Sequence, residues 1–162
     1  MCGIVGYIGK EPIETNRVVE ACNALHHRGP DGKGIYENKF NENFIIFGHR
    51  RLSIIDLNKR SDQPFIFRDN VLIFNGEIYN YLELKKDLEI AGVKFRTSSD
   101  TEVLYNCILH FGIENFASHL IGMFSIVCYR PITNDVFLIR DQLGIKPLYF
   151  TEKKNNLYIM LG

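Results

Sequence analysis

The sequence predicts an α+β domain built mainly from antiparallel hairpins. Three observations lead there. Apolar stretches of strand character come in pairs around short turns rich in Asn, Asp and Lys. Helical spacing is confined to a few segments. Strands and helices do not alternate as the βαβ units of a parallel sheet would. With 162 residues, 46% hydrophobic and 12% aromatic, the chain suffices for one domain with a sizeable core, taken as residues 1–162.

Gly3 to Ile8 reads as a short buried strand. Val18, Val19, Cys22 and Leu25 recur at helical spacing and predict a helix from about Glu14 to His26. A polar loop follows, His27-Arg28-Gly29-Pro30-Asp31-Gly32. Ile35 to Lys39 pairs with Phe44 to Arg50 across Asn41-Glu42-Asn43, and Leu52 to Leu57 continues extended. Pro64 to Arg68 and Val71 to Asn75 form a hairpin around Asp69-Asn70. Tyr81 to Ala91 carries Leu82, Leu84 and Leu88 on a helix that Gly92 closes with a left-handed cap. Val93 to Thr97 reads as a strand. Ser99-Asp100-Thr101-Glu102 fits a capping box opening a helix to about Phe111, with Gly112 just past its end. Met123 to Tyr129 pairs with Val136 to Arg140 over Thr133-Asn134-Asp135, and Leu148 to Thr151 with Leu157 to Leu161 over Lys153-Lys154-Asn155-Asn156. The chain stops at Met160-Leu161-Gly162 inside an apolar strand pattern, so the expectation is a domain incomplete at its C-terminal end.

Charges of both signs are scattered and the formal net charge is zero, which leaves no electrostatic footprint for nucleic acid or an anionic membrane. No apolar run reaches the ~18 residues of a membrane span. The first nine residues lack a basic region and a cleavage site, so no signal peptide is expected and the location is read as cytoplasmic. Cys2, Cys22, Cys107 and Cys128 have no C-x-x-C pair and read as free thiols. His26, His27, His49, His110 and His119 show no metal-ligand spacing, and no metal is expected.

Chemistry begins at Met1-Cys2-Gly3. If Met1 is cleaved, Cys2 carries a thiol nucleophile and a free α-amine, whose pKa of roughly 8 lets it take the thiol's proton. In His49-Arg50-Arg51-Leu52-Ser53, at the end of a predicted strand, an Arg can offer a bidentate fork for a carboxylate; a solvated strand edge is the commoner reading of an Arg pair. In Phe74-Asn75-Gly76-Glu77, Asn-Gly reads either as a tight turn or as a side-chain amide beside an uncovered backbone N–H, the two donors of an oxyanion hole. Glu77 and Asp100 offer carboxylates for an ammonium group, although a helix N-cap also accounts for Ser98-Ser99-Asp100. Together these groups fit an amino acid with a side-chain carbonyl to attack, and glutamine suits them.

The chain resembles the glutaminase domain of class II glutamine amidotransferases, which are N-terminal nucleophile hydrolases, and more closely that of the glutamine-hydrolysing asparagine synthetase branch. The matching segments are Cys2-Gly3-Ile4, His27-Arg28-Gly29-Pro30-Asp31, Arg51-Leu52-Ser53-Ile54-Ile55-Asp56, Phe74-Asn75-Gly76-Glu77-Ile78-Tyr79-Asn80, Ser99-Asp100 and Arg140-Asp141-Gln142-Leu143-Gly144-Ile145-Lys146-Pro147-Leu148-Tyr149. Pro30-Asp31 and Glu77-Ile78-Tyr79-Asn80 favour that branch.

The resemblance implies a four-layer αββα sandwich, two antiparallel sheets between helices, with Cys2 starting a central strand and Arg51, Asn75 and Asp100 on loops at the same end. It implies Cys2 as nucleophile with its freed amine as base, Asn75 and the Gly76 N–H at the oxyanion, Arg51 on the substrate carboxylate, Leu52 and Ile54 beside the substrate, and Glu77 and Asp100 on its ammonium. Residues 140–149 would support the core and a domain interface. It implies no cofactor in this domain. ATP and magnesium belong to a synthetase domain, in cis or as a partner chain, whose Ser-Gly-Gly-x-Asp-Ser loop these residues lack. Asparagine is the default product, a sugar acid is an alternative acceptor, and an oligomer is allowed. Two other readings stand beside it: a non-catalytic homologue or fragment, and a cysteine hydrolase pairing Cys2 with a histidine, which would work with Met1 attached.

Overall fold

The computed structural model describes residues 1–12, 15–68 and 70–161. Glu14, Asp69 and Gly162, which the sequence assigns to a helix, a turn and the last strand, lie outside the described residues. Nine strands and three α-helices follow one another as β1 (Gly3–Gly9), α1 (Thr15–Ala24), β2 (Gly32–Phe40), β3 (Asn43–Arg51), β4 (Phe65–Phe67), β5 (Asn70–Ile78), α2 (Tyr81–Ile90), α3 (Asp100–Phe111), β6 (Gly122–Arg130), β7 (Asp135–Arg140), β8 (Tyr149–Lys153) and β9 (Asn156–Leu161) among the described residues. Every strand pair is antiparallel, in a five-stranded sheet ordered β2-β3-β1-β9-β8 and a four-stranded sheet ordered β4-β5-β6-β7.

Side chains alternate across a strand, and the core divides accordingly. Ile4, Ile45 and Phe47 of the first sheet meet Val71, Ile73, Val127 and Tyr129 of the second in a buried layer between the sheets. On the outer face of the first sheet, Tyr7 and Ile46 pack on Val18 of α1. On the outer face of the second, Leu72, Phe74, Ile126 and Cys128 pack on Leu84 and Leu88 of α2 and on Val103, Leu104 and Cys107 of α3. The layers are therefore helix, sheet, sheet, helices. α1 and α2 bury a single stripe, Val18 with Cys22 and Leu84 with Leu88, whereas α3 is buried continuously from Asp100 to Ile108. No described helix is long and apolar enough to cross a membrane.

Turn chemistry explains the hairpins. Lys154 and Asn155 both have positive φ, 52° and 62°, the arrangement that matches strand twist in a two-residue hairpin loop. Gly92, at φ 90°, closes α2, and the Val93 N–H returns to the Leu88 carbonyl at 2.9 Å.

Two predicted extended segments are absent. Val93 to Thr97 is not a strand, because its donors are used elsewhere: Arg96 N–H and Thr97 N–H give hydrogen bonds to the Glu102 carboxylate at 3.0 and 2.6 Å. Ser99 caps α3 as expected, its Oγ accepting the Glu102 N–H at 3.3 Å, but Glu102 reaches past Ser99 to these two amides and the Thr97 hydroxyl. Glu102→Ala would strand those donors in the interior. The expected cost is about 3 kcal/mol in urea unfolding. The second missing segment, Leu52 to Leu57, leaves the sheet to wrap the Arg51 side chain.

Candidate active site

Strand parity brings the site together. Cys2, immediately before β1, shares the parity of the inward-facing Ile4; Arg51, the last residue of β3, that of Ile45 and Phe47; Asn75 and Glu77 of β5, that of Val71 and Ile73. All four meet at one end of the gap between the sheets. There, Cys2, Arg51, Leu52, Ile54, Asn75, Gly76, Glu77 and Asp100 all line one cavity. Every residue the sequence nominated is present there. The expected placement on loops is corrected: Asn75 lies inside β5, Arg51 ends β3 and Asp100 opens α3.

Asn75-Gly76 is accordingly not a turn. Asn75 pairs with Ser125 and Gly76 with Phe124 across β5 and β6. Gly is required for close approach, since a Cβ at position 76 would lie 2.1 Å from the Met123 carbonyl oxygen. Asn75 is 1% exposed and its Nδ2 has no hydrogen-bond partner among the described residues. An unused buried donor costs stability, and this one belongs to a residue lining a cavity.

The Cys2 sulfur lies against the turn after β3: the Leu52 N–H donates to it at 3.4 Å and the Leu52 carbonyl is 3.9 Å away. Burial pushes the thiol pKa up, against the opposing pull of the Leu52 N–H, the N-terminus and Arg51. The thiol therefore stays protonated near neutral pH and needs a base. No histidine lines the cavity. His49 is buried, its Nε2 is 3.1 Å from the Phe74 carbonyl, and burial pushes its pKa down to about 4.

Arg51 differs from its expected role as an open fork. Nη1 donates to the Asn58 carbonyl at 3.0 Å and to Asp62 at 2.7 Å; Nη2 donates to the Ile55 carbonyl at 3.3 Å and to the Asp56 carbonyl. The guanidinium thus winds residues 55–58 around itself, and Asp56 takes a left-handed φ of 51° there. Asp56 ties this loop to the segment leading into α3 by accepting the Ser98 N–H at 2.9 Å. Asp31 holds the same turn, accepting the Ser53 N–H at 2.7 Å.

At the other wall, Asp100 accepts the Ile78 N–H at 3.3 Å. Burial raises its pKa to about 6, with Glu77 adding to the rise. The cavity holds an acidic corner that favours a cation.

Two residues of the site escaped the motif reading of roles. Arg28 Nε donates to the Cys2 carbonyl at 3.0 Å and fixes the N-terminal segment. Lys146 lines the cavity, 4% exposed, with Nζ 2.7 Å from the Met1 sulfur. The 140–149 segment therefore reaches the site as well as supporting the core. In the latter role, burial raises the Asp141 pKa, but the Lys146, Ile145 and Phe124 N–H donors outweigh it and hold the carboxyl below its usual range. Both residues stand inside quoted motifs, which is the signal that pointed to them. Among the described residues, no group of three or more His, Cys, Asp or Glu is placed to hold a metal.

A family model described as a glutamine amidotransferase domain matches residues 1–161. Asparagine synthetase [glutamine-hydrolyzing] 1 of Bacillus subtilis (strain 168) is 41% identical over 165 residues, covering 98% of this chain and 25% of its own. The asparagine synthetase [glutamine-hydrolyzing] of Brassica oleracea is 40% identical over 154 residues, covering 92% and 25%. The chain thus spans about a quarter of the length of these curated relatives. Among solved structures, the glutamine phosphoribosylpyrophosphate amidotransferase of B. subtilis superposes with a TM-score of 0.85 at 24% identity, over 98% of this chain and 41% of that one, a likeness of fold.

Proposed function

This chain belongs to the glutamine amidotransferase domain family, and from that premise we propose that it hydrolyses L-glutamine to glutamate and ammonia through a thioester on Cys2. The unpartnered, buried Nδ2 of Asn75 in the same cavity as the Cys2 thiol is the observation that supports this best.

Removal of Met1 frees the Cys2 α-amine. The amine takes the thiol proton, and the sulfur bonds to the γ-carbonyl carbon of glutamine. Charge moves to the carbonyl oxygen, where Asn75 Nδ2 and the Gly76 N–H donate hydrogen bonds. The protonated amine passes its proton to the leaving nitrogen, the C–N bond breaks and ammonia departs, leaving a γ-glutamyl thioester. Water, giving a proton to the same amine, attacks that carbonyl; the C–S bond breaks and glutamate is released with the thiol restored. The raised thiol pKa makes the amine's role necessary, since little thiolate exists beforehand.

Glu77 and Asp100 receive the α-ammonium. With both terminal nitrogens of Arg51 engaged, the carboxylate is met by its Nε–H and charge and by main-chain groups of Leu52 and Ile54. Asp100→Asn is expected to raise KM by about 10–100-fold, the worth of a charge-assisted bond, with a smaller effect on kcat. Asp100 is charged above a pH of about 6 and neutral below it. The profile of kcat/KM is therefore expected to fall on the acid side near pH 6, and Asp100→Asn to erase that limb.

The ammonia serves an ATP-dependent synthetase, in cis or as a partner chain, that converts aspartate to asparagine in the cytoplasm; the names of the relatives and the Pro30-Asp31 segment support asparagine over a sugar acid. The test is glutamate release from L-glutamine by Met1-processed protein beside Cys2→Ala. Loss of release with Cys2 supports the reading, and release retained by Cys2→Ala overturns it.

A further inference from the structure

Phe74 immediately precedes the oxyanion donors, and its peptide groups are held in an unusual way. β4 pairs with β5 only from Phe67↔Asn70 to Phe65↔Leu72, so at Phe74 the edge of β5 has no strand beside it. The same register carried two residues further sets Gln63 opposite Phe74. There a side chain replaces the missing strand: Gln63 Oε1 accepts the Phe74 N–H at 2.6 Å. From the facing sheet, His49 Nε2 lies 3.1 Å from the Phe74 carbonyl. A carbonyl only accepts, so Nε2 carries the hydrogen and donates.

We propose that His49 and Gln63 are positioning residues, clamping both polar groups of Phe74 so that the Asn75 amide and the Gly76 N–H converge on the oxyanion. The inference rests on the glutaminase reading for its catalytic consequence, but not for its geometry. Both residues are buried, at 0% and 6% exposure. Gln63 is itself fixed: a Cβ at Gly34 of β2 would lie 2.1 Å from its carbonyl oxygen, so the first sheet closes directly on it. Its Nε2 donates to Thr101 Oγ1 at 3.4 Å, beside Asp100, and its neighbour Asp62 holds Arg51. The clamp thus ties the oxyanion donors to the acidic corner and to the Arg51 loop. Burial keeps His49 neutral, with Arg51 adding to the effect against the pull of the Phe74 carbonyl, as a fixed donor requires.

The experiment compares processed wild type with His49→Leu, His49→Gln, Gln63→Met and Gln63→Glu. Leu and Met fill the space without the polar atom; Gln at 49 restores a donor and Glu at 63 restores an acceptor. Expected for His49→Leu and Gln63→Met is a fall in kcat of about 10–100-fold with KM within about threefold, recovered at least in part by His49→Gln and Gln63→Glu. Hydrogen exchange at the Phe74 amide, whose hydrogen Gln63 Oε1 accepts, should quicken about tenfold in the first two variants and return in the rescuing ones. Wild type without Cys2-dependent glutamate release sinks the glutaminase reading, while the exchange measurement still decides the clamp. Unchanged kcat in folded His49→Leu and Gln63→Met overturns the proposal, as does unchanged Phe74 exchange, or rescue that tracks thermal stability rather than the restored polar atom.

Discussion

Protein that keeps Met1 is expected to hydrolyse glutamine about 10²–10⁴-fold more slowly than processed protein, the usual contribution of a positioned general base. The physical reason lies in the thiol. Burial raises its pKa, so it is not a standing thiolate, and no histidine lines the cavity to deprotonate it. With Met1 attached, the Cys2 nitrogen is an amide and accepts no proton. Met1 also stands in the way, since it lines the same cavity and its sulfur touches Lys146. The measurement is glutamate release by protein made with methionine aminopeptidase inhibited, its N-terminus verified by intact mass. Equal rates with and without Met1 would remove the amine from the mechanism and return the Cys–His reading.

Asn75→Ala is expected to lower kcat by about 10²–10³-fold with KM nearly unchanged, the cost of losing one oxyanion donor. Its second signature is stability. Most buried Asn-to-Ala changes break a hydrogen bond; here the Nδ2 makes none, so removing it relieves an unsatisfied donor. The unfolding free energy should stay within about 1 kcal/mol of wild type. A large fall in stability with the fall in rate would mean that Asn75 holds the sheet together instead of waiting for the substrate. This separation of rate from stability fits a group held ready at an unfavourable position.

Much of the molecule was legible from local pattern. The hairpins of β2–β3, β6–β7 and β8–β9 follow from alternation and from turns at Asn41, Asn134 and Lys154-Asn155, residues that adopt positive φ. α2 and α3 follow from spacing, Gly92 and the Ser99 cap. Failures arose where a charged side chain four to six residues away claimed backbone groups. Val93–Thr97 looks like a strand until Glu102 takes its amides, and Leu52–Leu57 looks extended until the Arg51 guanidinium collects its carbonyls. Asn75-Gly76 carries a turn signature, yet pairing with Ser125 and Phe124 keeps it in a strand.

The sequence by itself determined which groups are available for chemistry: a thiol one residue from the N-terminus, an amide beside a glycine, an arginine and two carboxylates, in an order shared with the glutamine amidotransferase domain. Residue type and order are properties of the chain. Only the tertiary structure decided how those groups are aimed. Strand parity turns Cys2, Arg51, Asn75 and Glu77 into one gap, Asp62 and loop carbonyls occupy the arginine fork, and Gln63 and His49 take hold of Phe74 across 11 and 25 residues. Such contacts depend on the packing of one sheet against the other, and pairwise spacing along a chain carries no record of it.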